Sequence, residues 1–190
     1  MSFPPKPYTP VPSTVITRAR AQEEPSDIAV VSDMGSHEKF MGEALAAARA
    51  GVESGQTPFG ACIVKDGQVV VCAHNVVWAT CDITAHAEVN AIRQACRKLG
   101  TIDLTGCVIY STTEPCPMCF SAIHWARIEK IYYGADIKDA QEVGFNEITI
   151  CNRDMKESGG SQVEVQGGIL AGECRMLYKE WVRRYDKKTY

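Results

Sequence analysis

Short apolar runs alternate with helical segments along most of this chain, and the alternation determines the fold class. Two apolar runs flank Asp66-Gly67, which is a strong signal for a β-hairpin. Three further strand-like runs, CVIYSTT, KIYYGA and VEVQG, each follow a helical segment. Strands joined through helices pair in parallel, whereas the strands of a hairpin pair antiparallel. We therefore predict an α/β fold, a three-layer α/β/α sandwich with a mixed five-stranded sheet.

The helices are predicted from apolar periodicity and from the residues at their ends. The first helix should begin with Ser36 as its N-cap. The second should cover about residues 85–98 with Thr84 as its N-cap, and the third about residues 116–127. A short helix is expected at DIKDAQEVG and a closing helix at ILAGECRMLYKEWVRRYDKK. Residues 75–84 should form a loop.

Residues 1–36 differ in composition from the rest of the chain. Six of the nine prolines fall within residues 1–25, among serine, threonine and charged residues. Such a segment has too little apolar surface to fold on its own. We predict a disordered or loosely attached arm over residues 1–36 and one folded domain over residues 37–190.

Charge and hydropathy argue against several function classes. A net charge of -3 offers no broad basic face, which argues against a nucleic-acid partner. The chain has no run of about 18 apolar residues, so no membrane span is expected. Residues 1–13 lack the apolar stretch of a secretory signal, and a cytoplasmic location with reduced thiols follows as the expectation. Six of the nine cysteines lie in apolar stretches, and these are predicted to be core residues: Cys62, Cys72, Cys96, Cys107, Cys151 and Cys174.

Two short motifs about thirty residues apart predict a metal site. Cys116-Pro-Met-Cys119 has the C-x-x-C spacing of zinc ligands and stands at a predicted helix start, where the helix dipole stabilises thiolates. His86 stands at the start of the preceding predicted helix. Both helix starts should meet at one edge of the sheet. Three protein ligands leave a fourth position for water, which is typical of a catalytic zinc site.

Glu88 decides between a catalytic and a structural site. A closed Cys2His2 site would need His74 or His124 as its fourth ligand, and it would have no use for Glu88. In a catalytic site, zinc lowers the pKa of its bound water to near 7, and the hydroxide attacks an electrophilic carbon. A carboxylate two residues past His86 can take the water proton and deliver it to the substrate. The joint pattern H-x-E with P-C-x-x-C is typical of zinc-dependent deaminases.

On these residues the chain resembles the cytidine deaminase superfamily over about residues 37–150. Several segments are most similar to its guanine deaminase branch: PFGACIVKDGQVV, HNVV, TAHAEVNAIRQACRKLG, EPCPMCFSAIHWARIEKIYYGA, GFNE and the terminal DKKTY. Three features depart from that branch. Ile83 stands where proline is usual, Asn146 replaces an acid, and the segment before the closing helix is more similar to nucleoside and tRNA deaminases.

The resemblance implies a role for each of several residues. His86, Cys116 and Cys119 would hold one zinc ion per subunit, with Glu88 as proton shuttle and Glu147 as a second catalytic acid. The implied substrate-binding residues are Phe59, Asn75, Ala87, Trp125, Phe145 and Tyr190. Asn75 would hydrogen-bond the purine and the two phenylalanines would stack on it, while Tyr190 would arrive from a partner subunit. Plainer roles stay open: Asn75 as a turn former, Phe59 in the core, Trp125 as a cover on the third helix and Glu147 on the surface.

The resemblance also implies the reaction. It is hydrolytic deamination of a purine base, with guanine giving xanthine and ammonia, by a cytoplasmic homodimer that exchanges its C-terminal segments. The alternatives are cytosine, a nucleoside (guanosine, cytidine or adenosine) or adenosine in tRNA as the substrate. A zinc-stabilised binding module without activity is a third possibility, against which Glu88 argues.

Overall fold

The structure is a computed structural model that describes residues 27–190, with side chains from residue 35 onward. Its elements in chain order are α1 (Asp27–Glu53), β1 (Gly60–Lys65), β2 (Gln68–His74), α2 (Val77–Thr80), α3 (Ala87–Leu99), β3 (Cys107–Thr113), α4 (Pro117–Trp125), β4 (Lys130–Ala135), α5 (Ile137–Glu142), α6 (Asn152–Gly159), β5 (Glu164–Gln166) and α7 (Ala171–Val182).

The five strands form one mixed sheet in the order β2-β1-β3-β4-β5. β1 pairs antiparallel with β2 and with β3, while β3, β4 and β5 run parallel. One apolar core lies between the sheet and the layer that contains α1 and α7. A second core lies on the opposite face, under α3 and α4. This arrangement confirms the predicted α/β/α sandwich with a mixed five-stranded sheet.

The predicted hairpin at Asp66-Gly67 is confirmed. Both residues have positive φ, at 50° and 71°, which suits a turn whose twist matches that of the flanking strands. Gly60, at the start of β1, allows α1 to approach the sheet closely. A Cβ at this position would collide with the backbone carbonyl of Ala44 and lie 2.8 Å from the backbone nitrogen of Ala48.

Three local predictions were wrong. α1 begins at Asp27, so Ser36 lies inside this helix and does not cap it. His86, and not Thr84, is the N-cap of α3. The backbone N–H and the hydroxyl of Thr84 both donate hydrogen bonds to Oδ1 of Asp82. The predicted loop over residues 75–84 contains the short helix α2.

The predicted core cysteines agree with the structure in part, whereas the predicted arm is not tested. Residues 27–36 of the arm are helical, and residues 1–26 lie outside the described residues, so the arm itself stays a prediction. Cys62, Cys107 and Cys174 are buried, whereas Cys72, Cys96 and Cys151 are only half-buried. Within residues 27–190, no helix combines the length and the apolar character needed to cross a membrane.

Candidate metal centre and active site

The first residues of α3 and α4 bring the two sequence motifs together. His86 is the N-cap of α3 and Cys116 is the N-cap of α4, both with extended backbone, and Pro117 occupies the first turn of α4. Proline suits this position because the missing N–H would have no partner inside the helix. The two helices lie side by side on one face of the sheet. Their N-terminal ends therefore present both motifs at one place, as the sequence predicted.

The geometry of His86, Cys116 and Cys119 fits a zinc ion. Their ligand atoms all lie within 4.8 Å of one another. The Nδ1 atom of His86 is 3.7 Å from the Sγ of Cys116 and 3.6 Å from the Sγ of Cys119. A tetrahedral zinc ion at about 2.3 Å from sulfur and about 2.05 Å from nitrogen would separate such atoms by about 3.6 Å. The three side chains therefore have the right spacing before any metal is added.

Neither alternative histidine completes a closed four-ligand site. The ring of His74 contacts the carbonyl oxygen of Asn75 at 2.7 Å, and the ring of His124 contacts the hydroxyl of Ser161 at 2.9 Å. Among the described residues, the metal-binding group consists of His86 and the two cysteines of α4. A three-ligand site with one open position is typical of catalytic zinc.

The environment of the two thiols favours a thiolate. A hydrogen bond with Cys119 and the neighbouring His86 ring lower the pKa of Cys116 to about 4. The pKa of Cys119 is raised, first by the hydrogen bond with Cys116 and then by burial. The pair thus shares one proton, and a divalent cation would displace it because zinc binds thiolates and not thiols.

Glu88 lies beside this group on the first turn of α3. Its side chain is only 6% exposed, and burial raises its pKa. The hydroxyl of Ser111 donates a hydrogen bond of 3.0 Å to Oε1, and Oε2 lies 3.5 Å from the Sγ of Cys119. A carboxyl group held this way, with one oxygen turned toward the metal ligands, is placed to accept and return a proton.

A cavity of about 230 Å³ opens beside His86 and Cys116, and a smaller space of about 20 Å³ lies next to it. His86, Cys116 and Glu147 line both parts. The outer part is also lined by Ile83, Pro117, Met118, Asn146, Ile148 and Tyr190. The inner part is also lined by Phe59, Glu88, Thr113 and Glu114. Glu147 is therefore a cavity residue, and burial, with Cys116 nearby, raises its pKa to about 7.

Asn75 is fully buried and contacts Tyr190, which lines the outer part of the cavity. The Oδ1 of Asn75 accepts a hydrogen bond from the backbone N–H of Val77, and its Nδ2 donates one of 2.6 Å to the hydroxyl of Tyr190. The first bond fixes the orientation of the amide, so that its Nδ2 group is directed at the hydroxyl of Tyr190. We expected Tyr190 to come from a partner subunit, but here the tail of the same chain brings it, with its carbonyl accepting from the N–H of Asn146.

Besides Asn75, three predicted substrate-binding residues do not line the cavity of their own chain. Phe145 is buried, stacked on Trp181 and edge-on to Phe59 and Tyr190, so it supports cavity residues from behind. Ala87 is fully buried in the core beneath α3. Trp125 ends α4 at the end opposite the cysteines and is 82% exposed. A pocket role for Trp125 stays a prediction that requires a second subunit.

Ser111 is the positioning residue that sequence reasoning missed. It lies in β3 and is 2% exposed, and its hydroxyl orients Glu88. A signal was present in the sequence, because a serine directly follows the apolar run CVIY in a strand whose residues are nearly all buried. Such a buried hydroxyl needs a partner, and that partner is the carboxyl group of Glu88.

Comparison with known proteins places this site in a family. The family model of the cytidine and deoxycytidylate deaminase zinc-binding region matches residues 34–135, and the chain belongs to this family. It is a hydrolytic deaminase, and within the matched region His86, Glu88, Cys116 and Cys119 lie in one place.

Two relatives and one solved structure indicate which deaminases this chain resembles. The guanine deaminase of Bacillus subtilis (strain 168) is 48% identical over 156 residues, which cover 82% of this chain and 99% of that protein. The tRNA-specific adenosine deaminase of the same organism is 37% identical over 155 residues, covering 82% of this chain and 94% of that protein. A solved guanine deaminase from Nitrosomonas europaea is 27% identical with a TM-score of 0.72, covering 77% of this chain and 85% of that one.

Proposed function

We propose that this protein is a zinc-dependent guanine deaminase, which converts guanine and water into xanthine and ammonia. The observation that carries the proposal is the 48% identity to a guanine deaminase over almost the whole length of that protein. The site supports it, because the three metal ligands lie beside the buried carboxyl group of Glu88, and His86, Cys116 and Glu88 line one cavity.

His86, Cys116 and Cys119 would hold one zinc ion in each subunit. When bound, zinc lowers the pKa of water from about 16 to near 7 and so supplies a nucleophile at neutral pH. Glu88 accepts a proton as water adds to C2 of guanine, and it delivers that proton to a ring nitrogen. Its raised pKa favours this exchange, because burial disfavours the charged form and a buried carboxylate takes up a proton more readily. The amino group then takes up a second proton and leaves as ammonia. Glu147 is the second acid at the cavity.

Asn75 and the aromatic residues would hold the base. The Nδ2 group of Asn75 is a donor with a fixed direction, which suits an acceptor on the purine. Phe59 lines the inner cavity and offers an apolar ring to the base. Tyr190 now takes the hydrogen bond of Asn75, so substrate entry requires the tail to move aside and to close again afterwards.

The protein would act as a cytoplasmic homodimer on a small nucleobase. The exposed indole of Trp125 on α4 supports a second subunit, since exposed tryptophans are enriched where subunits meet. Exchange of the C-terminal segments would replace Tyr190 by its copy from the partner. Sedimentation of the zinc-loaded protein, with and without residues 186–190, tests the homodimer and the exchange of C-terminal segments.

Adenosine in tRNA is a second candidate substrate. It is favoured by the 37% identity to a tRNA-specific adenosine deaminase over 94% of that protein. The net charge of -3 argues against it, because phosphate backbones are bound through basic surfaces.

An ammonia-release screen separates these activities. Zinc-loaded protein is incubated with guanine, guanosine, cytosine, cytidine, adenine, adenosine, a triazine amine and a tRNA. We expect release from guanine, with xanthine as the second product. Release from cytosine or from the tRNA, with guanine inert, would overturn the proposal.

A further inference from the structure

A pair of thiols lies across the hairpin, away from the metal ligands. Cys62 in β1 and Cys72 in β2 are directly opposite each other in the strand register. A hydrogen bond of 2.9 Å joins their sulfur atoms, and both cysteines are free. The two side chains share the sheet face that is covered by α1.

The backbone spacing of this pair suits a disulfide bond. Opposite residues in antiparallel strands have Cα atoms about 4.5–5.5 Å apart, which falls within the range of about 4.4–6.8 Å for disulfides. The sulfur atoms must approach from 2.9 Å to about 2.05 Å, which small side-chain rotations can supply. Bond formation therefore needs no change in strand pairing.

The two thiols differ in accessibility in a way that sets the order of events. β2 is an edge strand of the sheet, and Cys72 is half-buried, whereas Cys62 is fully buried. The hydrogen bond with Cys62 lowers the pKa of Cys72, and the same bond together with burial raises the pKa of Cys62. The thiol with the lowered pKa is thus the one that a small reagent can reach, and the carboxylate of Glu43 on α1 opposes its ionisation.

We propose that Cys62 and Cys72 form a reversible cross-strand disulfide with a low-molecular-weight disulfide, such as oxidised glutathione, as the oxidant. The thiolate of Cys72 attacks one sulfur of glutathione disulfide, which releases one glutathione thiolate. Cys62 loses its proton, attacks the sulfur of Cys72 and releases the second glutathione. Two protein thiols are oxidised, and one glutathione disulfide is reduced to two glutathione molecules.

The cross-link would join the two strands that lead to the cavity. Phe59 immediately precedes β1 and Asn75 immediately follows β2, and the backbone N–H of Asn75 donates to the carbonyl of Phe59 at 3.0 Å. A covalent bond within this hairpin reduces the freedom of the unfolded chain and therefore stabilises the fold. The oxidised protein should unfold at a temperature about 5–10 °C higher than the reduced protein.

The test uses the zinc-loaded full chain, so that Cys116 and Cys119 are protected by the metal. The protein is equilibrated with glutathione buffers of increasing oxidised fraction and then analysed by intact mass and by peptide mapping without reduction. We expect the loss of two hydrogen atoms, a peptide that links Cys62 to Cys72, and the higher unfolding temperature. Reduced glutathione should reverse all three.

Two variants make the result decisive. Cys72→Ser should show no disulfide and no glutathione adduct at Cys62 and should retain its unfolding temperature in oxidising buffer. Cys151→Ser removes an equally half-buried thiol at the N-cap of α6, where serine is a good substitute, and should behave like the original chain. A stable glutathione adduct on Cys72 with Cys62 still reduced would overturn the proposal, as would the absence of any change at either residue. The readout is mass, so its failure leaves the proposed deaminase activity untouched.

Discussion

Glu88→Gln separates the chemical role of this side chain from its structural role. The substitution keeps the size and shape of the side chain, and the amide oxygen can still accept the hydrogen bond from Ser111. It removes a negative charge from a site that is 6% exposed, where burial already disfavours the charge. We therefore expect the variant to fold and to bind zinc as the original chain does. The amide cannot accept or return a proton.

The expected loss follows from that missing function. A positioned acid–base group contributes about 10²–10⁴-fold to a reaction rate. At about 1.36 kcal/mol for each factor of ten, the barrier rises by about 2.7–5.5 kcal/mol. Glu88 is the carboxyl group nearest the metal ligands and would handle both the arriving and the departing proton, so kcat for guanine should fall by about 10⁴. KM should change little, because Asn75 and Phe59 are untouched.

The measurement combines steady-state ammonia release from guanine with the zinc content of the same sample. Glu129→Gln is the matched control, because Glu129 also accepts a hydrogen bond but lies at the opposite end of β4 from the metal ligands. The control should keep full kcat. A Glu88→Gln protein that holds one zinc ion and retains kcat within tenfold of the original would refute the proton-shuttle role.

Three further substitutions test the cavity and the packing. Asn75→Ala leaves the N–H of Val77 without its acceptor, so the free energy of unfolding should fall by about 1–3 kcal/mol. The variant also lacks the amide proposed to bind the base, so KM for guanine should rise at least about tenfold. An unchanged KM in steady-state kinetics would contradict the base-binding role. Tyr190→Phe removes the hydroxyl that competes for Asn75, so KM should fall about two- to tenfold. A higher KM would show that the hydroxyl binds substrate instead. Gly60→Ala pushes α1 off the sheet and should lower the free energy of unfolding by about 1–3 kcal/mol in urea titrations. The control is Gly42→Ala, which lies in open space within α1 and should not lower the free energy of unfolding.

The sequence by itself determined the fold class and the metal ligands, because both depend on short-range patterns. The spacing of Cys116 and Cys119 and the position of His86 at a helix start are local properties, and the alternation of strands with helices carries both motifs to one edge of the sheet. The hairpin at Asp66-Gly67 is local for the same reason, since the turn requires residues that tolerate positive φ.

Only the tertiary structure decided which distant side chains meet. The hydroxyl of Ser111 reaches Glu88 across 23 positions of sequence, and Tyr190 reaches Asn75 across 115. No local pattern encodes such contacts, because they depend on how the layers pack. Packing also decided that Trp125 is exposed. The pairing of Cys62 with Cys72 depends on the strand register, and a shift of one residue would abolish it. The sequence thus specified the chemistry of the metal centre, while packing selected the residues that orient it.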